Sequence, residues 1–119
     1  DHSEIKEASR SNISELQAKA LNRLKELEQL PDNWDEEGAA KIDQDIINHA
    51  VDIVYGCDDK VLSNWNIFPD TNGTLLFQKA DNSAIASIGK GKYSFYGRKT
   101  AKENAPVDIS TIISDLSAE

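Results

Sequence analysis

Apolar residues return every three or four positions through the first half of the chain and every second position through much of the second half. That change of period predicts helices followed by strands. A first helix is expected over about Glu4 to Gln29, where Ile5, Ile13, Leu16, Ala20, Leu24 and Leu27 form a stripe widened by Leu21 and Leu30. Asn12 and Glu15 have capping-box spacing, which makes residues 1–11 a frayed or separate piece. Glu15 and Lys19 are spaced for an i,i+4 ion pair. Pro31 closes the helix, because the residue before a proline resists helical geometry. A second helix starts after Asp43, an N-cap residue, with Ile42, Ile46, Ala50, Ile53 and Cys57 along its stripe and Ile47, Val51 and Val54 beside it. Gly56 is placed to end it in left-handed geometry.

Four strands are expected next, over Val61–Phe68, Thr74–Lys79, Ala84–Ile88 and Lys92–Arg98. The turns between them carry Asn72-Gly73, Asp81-Asn82 and Lys90-Gly91. Connections this short make neighbouring strands antiparallel. Leu75 and Phe77 share one face, as do Ala84, Ala86 and Ile88, and Tyr93 and Phe95. Thr100–Ala105 lacks any such pattern, so residues 100–107 read as a linker to a last helix from Asp108, whose stripe is Ile109, Ile112, Ile113 and Leu116. The expected architecture is one α+β domain: two N-terminal helices, a four-stranded antiparallel meander sheet and a C-terminal helix, with the helices against one face.

Composition narrows the class. The 119 residues include 21 acids and 13 bases, a formal charge of −8, with a pI near 4.7 and a mean hydropathy of −0.55. Residues 1–59 carry −9 and residues 60–119 carry +1. The 39 % apolar content supports a modest core and argues against a disordered chain. No apolar run exceeds three residues, which removes a membrane-spanning helix from consideration. A single cysteine, Cys57, leaves neither an internal disulfide nor a multi-cysteine zinc site. The chain opens on Asp1 and holds no methionine, as a processed or trimmed end would, including one left by a removed signal peptide. The expected location is cytoplasmic.

The most distinctive stretch is Leu30-Pro31-Asp32-Asn33-Trp34-Asp35-Glu36-Glu37-Gly38-Ala39. Asp35 and Gly38 suit the first and fourth positions of a type I turn. Trp34 is open to two readings: a plug sealing the core edge of a structured connector, or an exposed hot spot within an acidic rim. Asn33, Asp35 and Glu37, followed by Gly38, imitate the opening of a calcium loop. Lys41 and Gln44 then stand where its later ligands belong, so no metal is expected.

This stretch resembles a group of small uncharacterised bacterial proteins that carry L-P-x-N-W-D-x-x-G-A before a helix. Pro31, Asn33, Trp34, Asp35, Gly38 and Ala39 match that motif. Pro69-Asp70 and Asn72-Gly73 resemble the group's later proline and D-G-G strand opening. The likeness spans roughly residues 25–98 by element order, and only the first motif is specific. Two departures stand out: Glu37 replaces a usual aromatic, and Phe77-Gln78 replaces a Glu-Trp pair. The resemblance implies no assigned activity. It does imply a setting near mobile elements and toxin–antitoxin-like neighbours, hence an antitoxin- or immunity-like role.

No catalytic set assembles in the sequence. His49 and Cys57 stand eight residues apart on one helix, about 12 Å along its axis at about 1.5 Å per residue, and Cys57 sits on the apolar stripe. There is no Gly-rich phosphate loop, nucleophile elbow or zinc motif. One basic and aromatic segment, Lys90, Lys92, Tyr93, Arg98 and Lys99 with their neighbours, suggests stacking on single-stranded nucleic acid. It departs from the RNA-recognition signature, and the overall charge opposes a polyanion. The expected function is a non-enzymatic interaction domain without cofactor. Its partner is expected to be another protein or a second copy of itself, engaged through exposed sheet or the Trp34 connector. A nucleic-acid module built on residues 90–99, or a small-ligand domain, is the alternative.

Overall fold

In the computed structural model, which describes residues 13–119, helix α1 runs Glu15–Glu28 and α2 runs Gln44–Gly56. A single-turn helix, α3, spans Asp59–Leu62. Strands β1 (Trp65–Pro69), β2 (Leu75–Lys79), β3 (Ile85–Ile88), β4 (Tyr93–Tyr96) and β5 (Ala101–Ala105) follow, and α4 (Ile109–Ala118) ends the fold. The architecture is α+β with an antiparallel meander, its strands in spatial order β1-β2-β3-β4-β5.

Several boundaries differ from expectation for identifiable reasons. The capping box closing the start of α1 is Ser14 with Gln17, each side chain bonded to the other residue's backbone. The expected stretch 4–12, with Asn12, lies outside the described residues, while Ser14 is extended, so no continuous helix runs through it. Gly56 ends α2 without left-handed geometry, since the cap residue Cys57 is extended at φ −97°. Its value is space: a Cβ there would collide with Ile113 Cδ1 of α4. The first expected strand loses its beginning to α3, because the Asp58 side chain accepts from Val61 N and starts a helical turn. The fourth strand stops at Tyr96, and Arg98-Lys99 form a tight turn closed by Gly97 N–H to Thr100 O at 2.9 Å. The expected linker is therefore the fifth strand, β5, antiparallel to β4 and interrupted by a bulge between Tyr93 and Phe95.

One core joins helices to sheet. Leu24 and Leu27 of α1, Ile46, Ile47, Ala50, Ile53 and Val54 of α2, and Ile112 and Leu116 of α4 bury against the strands. The strands contribute Trp65, Ile67, Leu75, Phe77, Ala86, Ile88, Tyr93 and Phe95. Burying each large side chain contributes about 1.5–3 kcal/mol. Gln17 also links the helices, its Nε2 donating to Cys57 O at 3.2 Å beyond the end of α2. Among the described residues no helix is long and apolar enough to cross a membrane.

Candidate functional site

The Trp34 connector spends its polar groups on itself. Asn33 Oδ1 accepts from Gly38 N (2.6 Å), Asp35 Oδ1 from Glu37 N and Ala39 N (both 2.9 Å), and Asp32 Oδ1 from Lys41 N (3.0 Å). The two N–H groups hold the Asp35 carboxyl below its ordinary value of 3.8. The expected type I turn from Asp35 to Gly38 is not formed, because Glu36 lies at φ +62°. The closing bond is instead Glu36 N–H to Asn33 O at 3.0 Å. Trp34 is half-buried and donates its indole N–H to Ala40 O at 3.3 Å. It stands outside the core cluster, which Ile42 joins in its place, while Ala39 beside it is buried. The connector also meets the β1–β2 turn, where Ala40 N–H donates to Thr71 O at 2.8 Å.

The basic segment is divided. Tyr93 is 1 % exposed and donates its hydroxyl to Asp115 Oδ2 at 2.9 Å, so its ring is a core element and is not presented for stacking. Burial and this acceptor push the Tyr93 phenol well above its ordinary value. Lys102 Nζ reaches the same Asp115 oxygen at 2.9 Å, tying β4, β5 and α4 together. Lys90 and Lys92 precede β4 while Arg98 and Lys99 follow it. The strand between them is about 10 Å long at about 3.3 Å per residue. At the far end, Arg98 N and Lys99 N donate to the two Glu119 carboxylate oxygens at 3.0 and 3.1 Å. Lys90 pairs loosely with Asp43 at 3.7 Å.

Two residues with chemical potential are quiet. Burial, with the Asp58 carboxylate beside it, pushes the Cys57 thiol up to about 11, so it is protonated at neutral pH. His49 Nδ1 is buried without a hydrogen-bond partner among the described residues. Neither residue lines either of two surface cavities, one between α1, α3 and β1, the other between α1 and α2. Among the described residues no group of three or more His, Cys, Asp or Glu is arranged to hold a metal ion.

On the sheet's outer face, half-buried Leu76 and Ile85 lie between exposed Phe68 and Tyr96. Strand register places Phe68 opposite Leu76 and Ile85 opposite Tyr96. Leu76 and Ile85 are diagonal neighbours, because Leu76 faces Ser87 and Gln78 faces Ile85. The result is an oblique apolar stripe, Phe68–Leu76–Ile85–Tyr96, crossing four strands. Asn66 and Gln78 flank it on one side, Ser87 and Ser94 on the other. Phe68 and Tyr96 are 38 % and 47 % exposed, while the alternate residues of the same strands are buried under the helices. The alternation that identifies Leu75, Phe77 and Phe95 as core also identifies this set, which occupies the positions out of phase with them.

Comparison of the chain with protein families, with curated proteins and with solved structures finds no match.

Proposed function

We propose that this chain is a non-enzymatic recognition domain that binds a protein partner through the outer face of its sheet. The observation that carries the reading is the oblique stripe Phe68–Leu76–Ile85–Tyr96, apolar and aromatic between polar flanks on a rigid five-stranded support. Aromatic anchors within a polar surround are the usual composition of a protein-binding hot spot. The acidic body suits a partner of positive charge, which electrostatics would steer towards it. An antitoxin- or immunity-like task, implied by the resemblance of the Trp34 stretch, is the sharper form of the proposal.

Ile85 occupies the middle of the stripe, so Ile85→Glu is the decisive variant. Affinity capture from a native bacterial lysate is expected to recover a partner with the parent chain and to lose it with Ile85→Glu, while the variant keeps its melting temperature within a few degrees. Equal capture by both chains would sink the reading. So would failure of the parent to capture any protein while a small molecule stabilises the fold. For the sharper form, co-expression should rescue cells from the product of a neighbouring gene.

A further inference from the structure

A cleft of ≈150 Å³ opens at the β1 edge of the sheet, between α1, α3 and the inner surface of β1 and β2. Leu16, Ala20, Ile67 and Phe77 line it with Trp65, which is 7 % exposed. Two cations, Lys19 and Arg23, complete the wall from the same side of α1, four residues apart. Among the described residues no carboxylate lines the cleft, in a chain that carries 21 acids against 13 bases.

Arg23 is held in place, since its Nε donates to Ile67 O on β1 at 3.0 Å. That bond uses one donor of a planar fork with five and leaves the others for an acceptor in the cleft. Lys19 does not make the expected pair with Glu15. The ion pairs among the described residues, Lys90–Asp43 and Lys102–Asp115, involve neither cation of the cleft. An apolar floor of low polarisability beside two such cations strengthens attraction for an anion relative to open water. The volume is below that of a drug-sized pocket and matches one benzene-sized ring.

We propose that this cleft binds a small free carboxylate with a compact aromatic or branched apolar body, the ring against Trp65 and the carboxylate between Lys19 and Arg23. The site is separate from the sheet's outer face and stands independently of the reading given for that face. Phenylacetate is the probe, with uncharged phenylacetamide as its matched control, followed through the Trp65 indole N–H signal by NMR on the full chain. Saturable shifts at Trp65 and its neighbours are expected for phenylacetate, with affinity at least about tenfold weaker for phenylacetamide and for Lys19→Glu. Ala20→Leu, which fills the cleft without touching either cation, should abolish the shifts while the chain remains folded. The proposal is overturned by equal binding of acid and amide, by unchanged binding in Lys19→Glu, by shifts scattered away from Trp65, or by no shift at millimolar phenylacetate. Ile85→Glu should bind phenylacetate as the parent does, and Lys19→Glu should still capture the sheet-face partner, so the two sites fail separately.

Discussion

The two faces of the sheet use the same four strands for opposite purposes. On the inner face Leu75, Phe77, Ala86, Ile88, Tyr93 and Phe95 are at most 2 % exposed and packed under three helices. On the outer face the intervening positions alternate between serine or amide side chains and the Phe68–Leu76–Ile85–Tyr96 stripe. Both faces carry aromatic rings, so hydrophobicity alone does not separate them. Continuity does. The inner face is apolar except at its end, where Lys79 stands opposite Trp65, whereas the outer face places each apolar pair beside a polar pair, which limits its stickiness and gives it a pattern to be recognised.

The largest effect should come from removing a ring on the inner face. Phe95 is fully buried and packs its ring 6.1 Å from Trp65 and 6.3 Å from Tyr93, centroid to centroid. Phe95→Ala should destabilise the fold by about 3–5 kcal/mol, the lost transfer energy plus the cavity left behind. Urea denaturation measures it. A cost below about 1 kcal/mol would mean that the inner face is not the core.

A second, smaller effect separates the faces by pH. Tyr93 and Cys57 are both buried, and both are held above their ordinary values of 10.0 and 9.0. A group whose folded value is raised stabilises the fold fully below the unfolded value and loses that contribution as pH rises. Stability should therefore be level from neutral pH to about pH 9, then fall as the unfolded chain releases the Cys57 proton, and fall more steeply beyond pH 10 as Tyr93 adds its share. Denaturation midpoints across this range test it. Tyr93→Phe should remove the steeper part. At neutral pH, Tyr93→Phe should cost about 1–2 kcal/mol, because Asp115 loses a donor but keeps Lys102.

What the sequence discloses follows the same division. Buried stripes are legible because a core enforces their period: Ile46, Ala50 and Ile53 identify α2, and Leu75, Phe77 and Phe95 identify the inner face. Strand β5 is illegible because Ala101-Lys102-Glu103-Asn104-Ala105 contains no branched or aromatic residue. Its place is set from outside, by pairing with β4, by Lys102 on Asp115 and by the left-handed Asn104 at φ +53°. Charged side chains and a bulge suit a strand at the sheet's edge, where they discourage pairing with other chains. The connector motif is conspicuous in sequence yet resolves into internal hydrogen bonds, since Asn33 and Gly38 fill two of the loop's three left-handed positions and Asp35 accepts from its N–H groups. The stripe and the cleft escape a linear reading because each is assembled across elements. Leu76 meets Ile85 only through strand register, and Lys19 meets Trp65 only through the packing of α1 on β1.

The smallest effect is expected where the outer face is made polar. Tyr96 is 47 % exposed and directly opposite Ile85, with no side-chain hydrogen bond among the described residues. Removing an exposed ring from a sheet surface sacrifices a cross-strand contact of about 0.2–1 kcal/mol and creates no cavity. Tyr96→Ser should therefore shift the urea midpoint by at most about a quarter of the Phe95→Ala shift, although the two residues are adjacent on one strand. Both variants should be measured under one set of conditions with their denaturant slopes compared, because a changed slope would signal a different unfolded or native state. A Tyr96→Ser cost approaching that of Phe95→Ala would show the outer face to be covered in solution, by another copy or by another part of the chain. A negligible cost leaves the stripe with little part in folding, so that its apolar pattern is free to serve the partner proposed for it.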